Sequence, residues 1–351
     1  MSRNRPPPLE LGAAEAVPPN LGALFERPPP DQTAIELVET SKSWVFLTPT
    51  LVYKVKKPVR DELQDLTSLR ARQDNTLTEI DLNRRLAPEI YLGAQCIFED
   101  PEGAISLHGP GRPRDWMVKM RRLPGHRMLS FMIRKCYGDE TLLGTWVGEL
   151  ASTLVAFYKT APRSHLTGHE LLSLLKDQQR LCRKTLLDPR FARHRPRFEA
   201  VLNRFERGLP AHLNLLAERA EHGRIRECHG DLRPEHICLQ DPPVIFDCLE
   251  FNRNLRLLDP FSEVVFLGME CDRLGAPWIK PLLIDALKLG LQDHPPRRLL
   301  LQYEVIHALL RARLCLAHLL VPHPRTPEKW EPLGLEYFAI AERLCGLKPP
   351  A

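Results

Sequence analysis

No two of the nine cysteines form a C-x-x-C pair, which removes the usual signature of a zinc site or a dithiol redox centre. Cys238, Cys248 and Cys315 sit inside apolar runs and read as reduced core thiols of a cytosolic protein. No apolar run approaches the ~20 residues of a membrane span, and the opening "MSRNRPPPLELG" lacks the continuous apolar stretch of a secretory signal. A cytoplasmic protein without a membrane partner is therefore expected. Lys and Arg form no tract, and the net charge is only +5 over 351 residues, so nucleic acid is not the expected partner.

Apolar residues make up 43% of the chain, enough for one large or two ordinary domains with a substantial core. Residues 1–31 carry two Pro triplets around "LGALF", and read as a disordered or polyproline extension whose apolar piece, Leu21 to Phe25, can dock onto the body. From Ile35, "AIELVET", "SWVFLTP" and "LVYKVKKPV" predict three antiparallel strands. "DLTSLRARQDNTLTEIDLNRRLAPEI" predicts a helix with apolar residues at helical spacing, ending at Pro88; "YLGAQCIFED", "AISLHG" and "DWMVKMRRL" predict further strands. After Pro124 the periodicity is helical, near 140–160, 168–187, 195–222, 278–292 and 297–320, with a strand-loop-strand segment at 228–251 between these helices. The expected class is α+β, with a small β-rich lobe over 32–123 and a larger, mostly helical lobe over 124–351. No internal repeat is present.

The chemistry concentrates in "CHGDLRPEHICL", residues 228–239, and "PVIFDCLEF", residues 243–251. One Asp after His-Gly is ordinarily a turn residue; a second Asp closing an apolar β-run shortly afterwards changes the reading. Phosphoryl transfer asks little covalent chemistry of a protein: a group to accept the acceptor's proton, metal ligands, and cations against the phosphates. Asp231 suits the base, Asp247 a magnesium ligand, and Arg233 a cation facing the transferred group.

"HGDLRPEHICL" resembles the catalytic loop of the protein-kinase-like superfamily, and the Gly after His resembles its aminoglycoside phosphotransferase and choline kinase branch. Together with "YKVKKPV", "NRRLAPEIYLG", "FDCLEFN" and "LRLLDPFSE", it is most similar to bacterial aminoglycoside-phosphotransferase-family proteins found alone or fused to a small P-loop kinase domain. The resemblance spans about 33–275. It implies a bilobal protein-kinase-like fold, ATP and Mg2+ as cofactors, and a small hydroxylated acceptor. It also makes Lys54 the phosphate-contacting cation, Glu79 its ion-pair partner, His236 a metal ligand in the usual position of an Asn, and Met120, Arg121 and Leu123 part of a hinge that meets adenine. Strand alternation leaves Lys56 on the face of Lys54 and Lys57 on the other, so Lys56 and Lys57 compete with Lys54; Glu62 and Asp81 compete with Glu79.

Some features depart from that pattern. No Gly-rich loop separates the first two strands; "ETSKSW" stands there, leaving Ser41, Ser43 and backbone N–H groups to cradle phosphates. An imidazole at 236 is a softer ligand than magnesium prefers. Tyr158 stands where many relatives carry His. Asp259 precedes Pro260 and suits a helix cap that braces the catalytic loop, and Glu263 suits the same helix's first turns. His229 reads as structural, Glu250 as a second metal-side carboxylate or else a solvated or Arg-paired residue, and His307, His318 and His323 as incidental. The leading reading is an ATP-dependent small-molecule kinase. A nucleotide-binding pseudokinase or regulatory module of the same fold is the second, and a basic nucleic-acid binder the third.

Overall fold

A computed structural model describes residues 35–61 and 63–347, together with Leu21 and Leu24. The expectations for residues 1–31, those two leucines apart, and for Glu62 lie outside the described residues. The chain divides into two compact units, residues 1–132 with 235–255, and residues 133–234 with 256–351. This cut differs from a linear boundary at 123/124 in two ways: it falls at 132/133, and it moves the 235–255 segment out of the helical part.

The first unit is built on six antiparallel strands in the order β1-β2-β3-β6-β4-β5, where β1 is Glu36–Glu39, β2 Ser43–Leu47, β3 Leu51–Lys56, β4 Tyr91–Glu99, β5 Ile105–Ser106 and β6 Arg112–Arg121. The register pairs Lys54 with Val45 on one side and Val118 on the other, so the lysine stands mid-sheet. Trp44, Phe46, Val55, Ile97 and Met117 form one apolar cluster, and Leu21 packs into it with Leu24 at its edge. The apolar piece of the N-terminal segment thus docks at these two leucines.

Helix α1, Leu69–Arg84, starts at Ser68, whose Oγ accepts from the Ala71 N–H at 3.1 Å. Its packing face departs from the apolar stripe that the spacing suggests. The buried residues are Arg72, Thr76, Glu79, Ile80 and Asn83, one helical face with a single apolar member. Charged groups are buried when paired, and here Arg72 donates to Asp115 at 2.9 Å while the Asn83 Oδ1 accepts from the Cys248 N–H at 2.8 Å. The hairpin of Ile237–Cys238 and Val244–Ile245 joins this unit because Cys238 and Val244 pack with Ile80, Tyr91, Val118 and Met120.

The second unit is helical. After α2, Leu129–Lys135, which carries the chain across the 132/133 cut, come α3, Glu140–Thr160; α4, Gly168–Leu186; α5, Arg195–Glu221; α6, Pro260–Arg273; α7, Ile279–Leu291; α8, Arg297–Ala317; and α9, Pro327–Leu344. Phe198, Phe205, Phe266, Met269, Leu309 and Phe338 mark its main core. Among the described residues no helix is long and apolar enough to cross a membrane.

Candidate active site

In the first unit, β3, α1 and the hairpin carry the charged groups that converge. Lys54 Nζ lies 2.9 Å from Glu79 Oε1 and 2.9 Å from Asp247 Oδ1. The alternation that puts Lys56 on the same face brings its Nζ to 2.5 Å from Glu79 Oε2, and to Glu250 Oε1. Lys57 points elsewhere and pairs with Glu39. Of the sequence competitors, then, Lys57 is separated from the cluster, whereas Lys56 belongs to it beside Lys54.

Asp247 follows the second hairpin strand with φ +60°, a left-handed conformation that Asp tolerates better than most side chains. Its N–H donates to the Tyr91 hydroxyl at 3.2 Å, and its Oδ2 lies 3.5 Å from His236 Nε2. Its side chain is 43% exposed, whereas that of Glu79 is 1% exposed. Desolvation favours the neutral acid at Asp247, but Lys54, His236 and Lys56 outweigh it and hold the carboxyl well below the usual range. Burial likewise opposes the charge of Lys54, and Asp247, Glu79 and Glu250 outweigh it, holding the ammonium well above the ordinary lysine value. At Glu250 burial is overcome by Lys56 and Lys54, which lower its pKa. All three groups are therefore ionised at neutral pH.

These donors suit magnesium. The cluster sets two ammonium groups against three carboxylates, an excess of one carboxylate, and Asp247 is the exposed one. Magnesium is bound through one or two carboxylates and keeps several waters and phosphate oxygens. Among the described residues no group of three His, Cys, Asp or Glu is arranged to hold a metal alone.

Of the remaining nucleotide-side residues, Ser41 is exposed in the β1–β2 turn, whereas Ser43 is buried and its N–H donates to Thr40 Oγ1 at 2.8 Å, so this turn closes on itself. The neighbouring Lys42 reaches over the Phe251 ring, 4.7 Å from its centroid. Met120 is buried with the hairpin core, and Leu123 packs at its edge. The Arg121 N–H donates to the Ile90 carbonyl, and the Arg122 N–H to that of Thr50.

Asp231 and Arg233 lie in the second unit, since the motif is divided at 234/235, and His236 falls in the first. Arg233 Nη2 is 3.1 Å from Asp231 Oδ2. The loop carrying them is held from beneath by Glu263 on α6. This carboxylate, 1% exposed, accepts from the Gly230 N–H at 2.6 Å, the His229 N–H at 3.1 Å and the Tyr158 hydroxyl at 2.7 Å. Gly230 has φ +92°, which explains glycine there, and buried His229 accepts the Asp231 N–H on Nδ1 at 3.3 Å. Sequence reasoning placed Glu263 only as a dipole partner and drew nothing from Tyr158. The available signal was their joint burial potential: a carboxylate one turn inside an apolar helix needs donors.

Asp259 caps α6 as expected. It accepts from the Phe261 N–H at 3.0 Å, from Arg219 Nε at 2.6 Å and from the Tyr303 hydroxyl at 2.8 Å. His307 is less incidental than its sequence context suggests. It is 7% exposed, stacks on Phe266 at 4.8 Å, and shares a hydrogen bond of 3.0 Å with Ser262 Oγ. Burial pushes its imidazole down to about 4. The neutral ring is thus favoured in the fold, and its stabilisation is complete above the unfolded value near pH 6.5. As pH falls from there through 4, the unfolded chain takes up the proton first and about 3 kcal/mol is lost. Denaturant unfolding of the wild type and His307→Gln across pH 7 to 4 checks this; a difference between the two that stays constant with pH contradicts it.

A family model described as "Phosphotransferase enzyme family" matches residues 79–301. An uncharacterised protein of Mycobacterium tuberculosis is 28% identical over 304 residues, covering 85% of this chain and 58% of the relative. The chain therefore spans little more than half the length of the curated relatives it matches. Among solved structures, a choline kinase of Streptococcus pneumoniae aligns with a TM-score of 0.53 at 14% identity, covering 93% of this chain and 96% of that one. A choline/ethanolamine kinase family protein of Mesorhizobium loti aligns with a TM-score of 0.49 at 14% identity, covering 93% and 90%. At 14% identity the likeness to the Streptococcus pneumoniae structure is one of fold alone: α+β and kinase-like, with a β-sheet part and a helical part.

Proposed function

The chain belongs to the phosphotransferase enzyme family, and from that premise we propose that it is a kinase moving the γ-phosphoryl group of ATP to a hydroxyl of a small molecule. The observation that carries this reading is the position of Lys54 Nζ, 2.9 Å from a buried carboxylate on α1 and 2.9 Å from an exposed carboxylate on the hairpin. A cation held between a buried carboxylate and a solvent-facing one offers both the charge that nucleotide phosphates need and a carboxylate for their metal.

In this reading Lys54 binds the phosphates, oriented by Glu79. Asp247, whose second oxygen lies 3.5 Å from His236 Nε2, would hold Mg2+, which would supply charge neutralisation at the phosphate oxygens. Asp231 takes the proton of the acceptor hydroxyl as its oxygen bonds to phosphorus and the bond to the leaving ADP oxygen breaks. Arg233, paired to Asp231, orients that carboxylate and faces the transferred group. Ser41 and the backbone around Met120, Arg121 and Leu123 serve the nucleotide, the N–H groups of Arg121 and Arg122 already being committed within the unit.

The acceptor is a neutral or anionic hydroxylated molecule rather than a polycation. Residues 125–222 hold 16 Lys or Arg against 10 Asp or Glu, and a polycationic acceptor calls for the opposite balance. Phosphorus NMR of the protein with ATP, Mg2+ and a panel of polyols, sugars and hydroxy acids tests the proposal. A new phosphomonoester signal matched by ADP is expected. Nucleotide binding without product from any acceptor favours the second reading, a regulatory nucleotide-binding module, for which the imidazole at position 236 is the motivating feature.

A further inference from the structure

We infer that Lys56 is a positioning residue of the phosphotransfer site, acting through Glu79 and Glu250 so that Lys54 can exchange Asp247 for nucleotide phosphates. The inference rests on the proposed kinase reading. Its geometry is the division of one buried carboxylate between two lysines: Glu79 gives Oε1 to Lys54 at 2.9 Å and Oε2 to Lys56 at 2.5 Å. With only Lys54 available, Glu79 would lose its counter-charge whenever that ammonium moved toward phosphate, and an unpaired carboxylate at 1% exposure is strongly disfavoured. Lys56 removes that restraint by remaining on Glu79.

Burial separates the roles of the two lysines. The Lys56 side chain is 2% exposed, against 16% for Lys54, so Lys56 is screened from any nucleotide and Lys54 is accessible to one. Lys56 also pairs with Glu250, three residues beyond Asp247. One ammonium therefore ties β3 to α1 and to the segment that follows Asp247, setting the height at which the Asp247 carboxylate stands. A purely structural ion pair would influence stability alone; a positioning lysine also governs how tightly magnesium-ATP is held.

The test is a double-mutant cycle read by calorimetric titration of ATP with Mg2+ at a temperature where circular dichroism shows each variant folded. Lys56→Met is expected to weaken binding tenfold or more. In the Glu79→Gln background, where position 79 carries no charge to be paired and Lys56 answers to Glu250 alone, Lys56→Met is expected to cost less than threefold further. This pair of neutral variants also covers the case in which Lys56→Met alone fails to fold, because Lys56→Met/Glu79→Gln can then be compared directly with Glu79→Gln. A double variant tenfold weaker than Glu79→Gln, or a folded Lys56→Met that binds like the wild type, overturns the inference. A wild type that binds no ATP overturns the kinase reading itself, and the role of Lys56 with it.

Discussion

If the proposed kinase reading holds, replacing Asp231 with Asn is expected to lower phosphoryl transfer by about 10²- to 10⁴-fold, the range that a general base contributes, while magnesium-ATP affinity stays close to that of the wild type. The expectation follows from where the charges stand. Asp231 pairs with Arg233 on a loop fixed by Glu263, and the groups assigned to phosphate and metal, Lys54, Glu79 and Asp247, belong to the other compact unit. Asn keeps the shape and loses proton affinity, so chemistry should fail without loss of nucleotide. Single-turnover kinetics with any acceptor found by NMR, set beside calorimetry, check both halves. An Asp231→Asn variant that turns over at the wild-type rate removes Asp231 from the role of base.

Glu263→Ala is expected to destabilise the second unit severely. It leaves the N–H groups of His229 and Gly230 and the Tyr158 hydroxyl without their acceptor, in a place where Glu263 and Tyr158 are 1% and 0% exposed. Each buried orphaned donor costs roughly 1 to 3 kcal/mol, so a loss on the order of 3 to 5 kcal/mol is expected after partial relaxation. Tyr158→Phe removes one donor and leaves the two loop bonds, and should cost only about 1 kcal/mol. Urea denaturation of the two variants distinguishes them. Equal and small losses would mean that the loop is held by something other than Glu263.

Much of this was legible in the sequence because a few segments carry strong local constraints. The alternation of "LVYKVKKPV" placed Lys54 on a strand and grouped Lys56 with it, and the apolar run "PVIFD" announced a buried strand leading to Asp247, although the strand itself ends two residues earlier, at Ile245. The α+β class was likewise expected from periodicity, and its kinase-like form from the resemblance carried by "HGDLRPEHICL" and its companion motifs. Contacts between distant segments were not readable. Hydropathy could not choose among Glu62, Glu79 and Asp81, because the packed face of α1 is polar; only the recurrence of Arg72, Thr76, Glu79 and Asn83 at helical spacing marks it. Pairing of Lys56 with Glu250, 194 residues apart, leaves no local trace. The hairpin's membership in the sheet unit depends on Cys238 and Val244 meeting Ile80 and Met120, again a long-range fact. Helix α9 escaped notice because Pro332 interrupts its early turns, a residue that ordinarily argues against a helix interior.

Calorimetric titration of ATP into the wild type and Asp247→Asn, each with and without Mg2+, tests the central claim most directly. The geometry predicts that the wild type binds ATP much more tightly with Mg2+ than without it, and that Asp247→Asn abolishes this difference while remaining folded. Binding that ignores both the metal and the substitution would contradict the account, because Asp247 would then have no part in holding a metal-bound nucleotide.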